Sequence, residues 1–174
     1  SINLSADQFY DSNLKRYIYS GLEKADLDPK FIELEISQKT LLEDLNFSKS
    51  IISEFNLLNI KTYTDGTTLE DFDFKKSSIH NLLSRLSVRG IKMHPSFIQN
   101  LTSESYVYEE FQSLLSMTRN LNMDVVVQGV ETRYQLDLLR SLGCYIVQGN
   151  LFDPALPVED ITDVLKANWL GRSH

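Results

Sequence analysis

The sequence has a single cysteine, Cys144, so no intrachain disulfide can form, and its thiol fits a reducing compartment. No apolar run approaches the ~18 residues of a membrane-spanning helix. A Gly-rich phosphate fingerprint is missing too, so a dinucleotide-binding fold has no positive support. Positive charge is in deficit. With 17 Lys and Arg against 24 Asp and Glu, the formal net charge is −7. That balance argues against a broad nucleic-acid footprint, and no direct DNA contact is expected. What is present is 174 residues, 42% hydrophobic and 24% charged. This is enough to build one core, and a single domain over 1–174 is expected.

Apolar and amphipathic runs alternate along the chain. "SINL" (Ser1–Leu4) reads as a short strand. "NLKRYIYSGLEKA" from Asn13 reads as a helix, with Leu14, Ile18 and Leu22 on one face. "FIELEI" (Phe31–Ile36) alternates as a strand does. A long helix is expected from Lys39 to about Leu58, with Leu42, Leu45, Ile51, Ile52, Phe55 and Leu58 inward. "IKTYT" (Ile60–Thr64) is a strand, and Asp65 to Lys76 has no period and reads as a loop. A helix capped by Ser77 is expected to run to Leu86. Then come strand "GIKM" (Gly90–Met93), a helix from about Ser105 to Leu121, and strand "DVVV" (Asp124–Val127). Helix "RYQLDLLRSL" follows and stops at Gly143. Strand "CYIV" (Cys144–Val147) and a helix over roughly Val158–Asn168 complete the pattern. Strands nearly all followed by helices predict an α/β fold with a parallel sheet, best explained as a barrel. Its site would lie at the carboxyl ends of the strands.

Those ends carry Asn3, Glu35, Asp65, Lys92 with His94, Gln128 and Gln148. Any one of them is simply a polar residue beginning a loop. Together, asparagine, glutamate and aspartate are oxygen ligands suited to a hard cation such as Mg²⁺ or Mn²⁺. A nearby lysine orients a water or neutralises a phosphate.

The motifs at these ends resemble those of the EAL-domain family, the cyclic di-GMP phosphodiesterases with a modified (β/α)₈ barrel. "NLSADQF" (Asn3–Phe9) is similar to N-L-S-A-x-Q-F, and "IELEIS" (Ile32–Ser37) to L-x-L-E-I-T. "IKMHPSFI" (Ile91–Ile98) is similar to I-K-I-D-x-S-F-V, and "VVVQGVET" (Val125–Thr132) to V-V-A-E-G-V-E-T. "LGCYIVQGNLF" (Leu142–Phe152) is similar to L-G-C-D-x-x-Q-G-Y-x-F, and "ALP" (Ala155–Pro157) to P-L-P. The resemblance runs nearly end to end. It implies metal-ligand positions at Asn3, Glu35 and Asp65. Lys92 falls on the lysine that supports the attacking water. Glu131 falls on the second, supporting glutamate of E-G-V-E, and Gln148 on the glutamine of Q-G-Y.

Departures from the family pattern fall on acids. The second aspartate of D-D-F-G is Gly66, the aspartate of K-I-D is His94, and the first glutamate of E-G-V-E is Gln128. Gln38 replaces the second acid of E-I-T-E. The loop "GTTLEDFDFKK" is longer than the family's. Within it, Glu70 and Asp71 offer an alternative register for D-D-F. The family's E-A-L strand and the helices after it would precede Ser1, so the domain is expected to be incomplete at its N-terminus. Hydrolysis in the family uses a water held between two cations, and a carboxylate takes its proton. An amide coordinates weakly and cannot act as a general base at neutral pH. General-base help is typically worth about 10²–10⁴ in rate. The expectation is therefore a degenerate, catalytically inactive domain with no cofactor, whose positions Lys92, Gln128 and Glu131 are vestigial. Asn3, Lys92 and Gln148 are its candidate ligand contacts. It would act through a protein partner or other domains of the same chain, or by sensing cyclic di-GMP without cutting it. A homo-oligomer is one option. The alternatives are a weak phosphodiesterase using Mg²⁺ or Mn²⁺, and the EAL-like part of a regulator of RNA turnover. A cytoplasmic location is expected, including as the cytoplasmic part of a membrane-anchored multidomain protein. Outside the site, His94 reads as a satisfied helix-start histidine. His80 and His174 show no ligand spacing to it. Cys144 reads as core, "SYVYEEF" (Ser105–Phe111) as one packed and one exposed helix face, and Trp169 as packing for the last helix.

Overall fold

A computed structural model describes residues 1–68, 83, 85–103, 105–152 and 154–170, with the side chains at 164, 165 and 167–170 left aside. The elements are β1 (Ile2–Leu4), α1 (Ala6–Phe9), α2 (Leu14–Ala25), a 3₁₀ turn (Pro29–Phe31), β2 (Glu33–Ser37), α3 (Gln38–Glu43) and α4 (Leu45–Leu57). They continue with β3 (Lys61–Thr67), β4 (Gly90–Met93), α5 (Ser96–Asn100), α6 (Tyr106–Asn120), β5 (Asp124–Val127), α7 (Arg133–Ser141), β6 (Ile146–Val147) and α8 (Val158–Leu170). The six strands form one sheet in sequential order, and every pairing is parallel. Parallel neighbours in chain order are the arrangement of a β/α barrel wall. Among the described residues, β1 and β6 each have a neighbour on one side only, so the wall is an open arc.

The two faces of the arc differ because strand side chains alternate. Leu34, Ile36, Ile91, Met93, Val125 and Val127 point to the helix layer. There they join Phe9, Leu41, Ile52, Phe55, Phe97, Phe111, Leu136 and Leu139 in the core. The other face is the lumen. Register places Asn3 beside Glu35, Glu35 beside Tyr63, Tyr63 beside Gly90 and Gly90 beside Asp124. Lys92, two residues beyond Gly90, shares that face and pairs in register with Val126. Between α2 and the outer side of β1 and β2 runs an apolar groove of about 530 Å³, walled by Ile2, Leu4, Leu14, Ile18, Leu22 and Leu34.

Three boundaries differ from the sequence reading. The helix expected from Lys39 to Leu58 is two helices, broken at Asp44, which has extended backbone (φ −142, ψ 95). Its carboxylate accepts from the Asn46 and Phe47 amides, each at 3.0 Å. A capping aspartate competes with helix continuation at that point. Leu42, expected inward, is consequently turned out to 41% exposure. Strand β3 runs on to Thr67, where the sequence reading expected a loop from Asp65. Between the pairs Thr64–Ile91 and Thr67–Met93, β3 spends one residue more than β4, so Asp65 and Gly66 both stand opposite Lys92. This is a β-bulge, and Gly66 meets it with φ +72. Cys144 is buried, as expected, but lies before β6, which spans Ile146–Val147 alone. The helix expected from Ser77 and the alternative ligands Glu70 and Asp71 lie outside the described residues, as do the side chain of Trp169 and all of His80 and His174.

Asp44 ends α3 and caps the start of α4. Asp44→Ala should lower stability by about 1 kcal/mol without changing the sheet, read as a lower urea midpoint with an unchanged slope.

Candidate functional site

At the centre of the lumen is a buried ion pair. Lys92 Nζ lies 2.6 Å from Glu35 Oε1, with side-chain exposures of 5% and 7%. Lys92 starts on β4 and Glu35 on β2, so the ammonium reaches across β3 to meet its partner. Nζ also donates to Ser1 Oγ at 3.4 Å. Burial alone would push the Glu35 carboxyl up. The hydrogen bonds from Lys92 and Ser1 and the Lys92 charge outweigh it, and the carboxyl sits below its ordinary value. The Glu35 carboxylate is thereby favoured in its charged form.

Beneath the ammonium lies Tyr63, whose ring centroid is 5.5 Å from Nζ. The ring extends sideways over Gly90, where a side chain would collide with it: a Cβ there would be 2.8 Å from Tyr63 Cε1. Its hydroxyl donates to Asp124 Oδ2 at 3.0 Å on β5. Arg89 closes the network by donating from Nε to Oδ2 (2.8 Å) and from Nη2 to Oδ1 (3.1 Å) of the same carboxylate. Burial, followed by the Glu33 and Asp124 charges, pushes the Tyr63 phenol far up, so it remains a donor. None of Tyr63, Gly90, Asp124 or Arg89 was singled out from sequence. The usable signal was alternation: Tyr63 sits two residues before Asp65, and Gly90 two before Lys92.

The strand ends above the pair are sparser. Among the described residues, Asp65 Oδ1 is buried without a hydrogen-bond partner, and so is Gln38 Oε1 on the first residue of α3. Asn3 is exposed. His94 Nδ1 accepts from the Ser96 amide at 3.2 Å and lies 2.8 Å from Ser96 Oγ. It therefore opens α5 as the expected helix-start histidine. Gln128 is half-buried, and its backbone donates to Met93 O at 3.4 Å. Its side chain makes no hydrogen bond among the described residues. Gln148 is exposed, but its backbone ties two loops together: its amide donates to Val127 O (2.9 Å) and its carbonyl accepts from the Val130 amide (3.0 Å). Glu131 is exposed, and its amide is satisfied by Gln135 Oε1 at 2.8 Å. The structure thus brings Glu35 and Lys92 together, with Asp65 on the neighbouring strand. Asn3, Glu131 and Gln148 stand in the open rim.

Residues 1–155 match the EAL domain family, and the chain belongs to that family. The bifunctional diguanylate cyclase/cyclic di-GMP phosphodiesterase MucR of Pseudomonas aeruginosa is 29% identical over 161 residues. That alignment takes in 92% of this chain and 23% of MucR. This chain therefore spans less than a quarter of that relative. The solved structure of PaMucR phosphodiesterase with c-di-GMP superposes with a TM-score of 0.79 at 30% identity, covering 91% of this chain and 68% of that one. A Klebsiella pneumoniae BlrP1 complex with manganese and cy-diGMP shares the fold, with a TM-score of 0.73 at 22% identity, over 87% of this chain and 37% of that one. The fold is thus the parallel, barrel-like α/β architecture of EAL domains, present here as an arc of its wall.

Removing one member of the buried pair strands the other charge. Lys92→Met and Glu35→Gln should each cost about 3–5 kcal/mol, and Lys92→Met/Glu35→Leu should cost less than either alone, by urea denaturation. The pH dependence carries a definite sign. Because the folded carboxyl titrates below its unfolded value, the contribution of Glu35 is complete above about pH 4.3 and is lost as pH falls through the lower folded value. Acid titration of stability should show this loss in the parent protein and lack it in Glu35→Gln.

Proposed function

We propose that residues 1–174 form a degenerate EAL domain without phosphodiesterase activity, serving as a regulatory module. The observation that supports this reading best is the buried contact between Lys92 and Glu35. The family's chemistry needs the glutamate at this position to face a cation. Here the carboxylate is already paired with an ammonium at 2.6 Å.

The remaining donor set does not fit a cation pair. Among the described residues, Asp65 Oδ1 is the buried anionic oxygen at the rim without a hydrogen-bond partner, and Glu131 stands exposed. Where the family has further acids, Gly66 offers no side chain, and Gln128 offers a neutral amide. The Nδ1 of His94 is occupied by Ser96. Two divalent ions close together need several anionic oxygens to offset their charge. Among the described residues, no group of three or more acids, histidines or cysteines stands together to hold such ions and activate a water. Lys92 would instead orient or neutralise an anionic group entering the rim, with Asn3 and Gln148 flanking it.

The module acts on a protein partner or on other domains of its own polypeptide. The MucR relative carries most of its length outside the matched region. The unpaired outer edges of β1 and β6 are places where further polypeptide can add to a sheet. Cyclic di-GMP sensing without cleavage is the companion role. No helix among the described residues is long and apolar enough to cross a membrane. We place the module in the cytoplasm, alone or attached to a membrane-anchored protein.

One observation favours a second reading, a weak metal-dependent phosphodiesterase: the unpartnered Asp65 oxygen asks for a cation or a water. Calorimetric titration with cyclic di-GMP, with and without Mn²⁺, run beside a product assay, separates the readings. The expected result is no linear dinucleotide product under either condition. Binding without product would identify a sensor, and absence of binding an interaction module. Product formation that depends on Mn²⁺ and disappears in Asp65→Asn would establish the second reading instead.

A further inference from the structure

The Arg89–Asp124–Tyr63 network lies at the amino ends of the strands, away from the rim where the family's chemistry takes place. We propose that Tyr63 is a positioning residue for Lys92, anchored from the opposite end of the sheet by Asp124 and Arg89. This inference does not depend on whether the rim hydrolyses, binds or merely presents its ligand.

Strand register sets the layout. Glu35, Tyr63, Gly90 and Asp124 form one lumen-facing row across four strands. Lys92 stands one layer above Gly90 and must cross β3 to reach Glu35 on β2. The side chain it crosses is Tyr63, whose ring centroid is 5.5 Å from Nζ. An aromatic face at that distance attracts an ammonium, and more strongly when both are out of water. Gly90 leaves the space that the ring fills, since a Cβ there would lie 2.8 Å from Tyr63 Cε1. The Tyr63 hydroxyl holds the ring through its 3.0 Å bond to Asp124 Oδ2. Asp124 is fixed in turn by the two-point contact from Arg89.

Several charged groups bear on this row. Lys61 lies 3.5 Å from Glu33 at the start of β2. Glu33 and Asp124 both act on the Tyr63 phenol, as does Arg89. Among the described residues, the cation over the ring is Lys92; Lys61, two residues before Tyr63, pairs with Glu33. Asp65, above the ring on β3, makes no ion pair with Lys92. The ammonium's choice of Glu35 over Asp65 therefore follows from where the Tyr63 ring supports it.

Reductive methylation of lysines, followed by mass spectrometry, tests this directly. Lys15 and Lys61, with side chains 42% and 45% exposed, are internal references. In the parent protein, Lys92 should react far more slowly than either. Tyr63→Leu keeps bulk but removes the aromatic face, and Lys92 should then react at least about tenfold faster relative to the references. Tyr63→Phe keeps the ring and removes only its anchor, and should give a smaller but measurable acceleration. Should Tyr63→Leu fail to fold, Tyr63→Phe decides alone. Backbone hydrogen exchange over β4 and β5 is read on the same samples. The proposal is supported if Lys92 speeds up while this exchange stays at the parent rate. It is overturned if Lys92 remains as slow as in the parent, or if exchange across both strands accelerates in step with it, since the role would then be general packing.

Discussion

A single contact, the ammonium of Lys92 on the carboxylate of Glu35, organises the lumen. Both groups are removed from water, and in such a setting the cost of desolvation rivals the attraction gained. The pair therefore adds little net stability, yet neither partner can be withdrawn without leaving a buried charge. That asymmetry constrains the surroundings. The ammonium must span one intervening strand, so the side chain beneath it must be flat and well placed. Tyr63 meets that need, Gly90 leaves room for the ring, and Asp124 receives the hydroxyl. A row of four strands is thus shaped around one internal salt link.

The rim above has kept the shape of its family's site with less of the charge. His94 accepts the Ser96 amide through Nδ1, at a distance a carboxylate oxygen would also adopt. Gln128 preserves the outline of a glutamate, and its backbone still joins β5 to the end of β4. What these replacements give up is anionic oxygen and a proton acceptor. Local hydrogen bonding needs only the correct acceptor geometry, whereas cation clustering needs summed negative charge. The first can survive substitutions that remove the second. Hydrogen bonding and charge at this rim are therefore separable properties of the same fold.

Much of the architecture was legible in the sequence, because alternating strands and amphipathic helices carry period information. Six parallel strands, the helix ending at Gly143 and the polar residues at the strand ends could all be read that way. The misses have specific causes. The break at Asp44 depends on a capping competition that periodicity does not register. The extension of β3 through Gly66 depends on its pairing with β4, which is a long-range event. The Glu35–Lys92 pair is out of reach for a related reason: both residues are site candidates by sequence, but their contact crosses an intervening strand. Tyr63 was hidden in plain alternation, since an aromatic in a strand is ordinarily core.

The bulge at Asp65–Gly66 bears on the chain's past and future as well as its shape. Position 66 adopts a left-handed backbone that a side-chain-bearing residue occupies at a cost of about 1 kcal/mol, somewhat less for aspartate or asparagine. An acid introduced at that point would meet a conformational toll before contributing any chemistry. The bulge thus resists any gain of negative charge at this end of the strand, whatever the rim does.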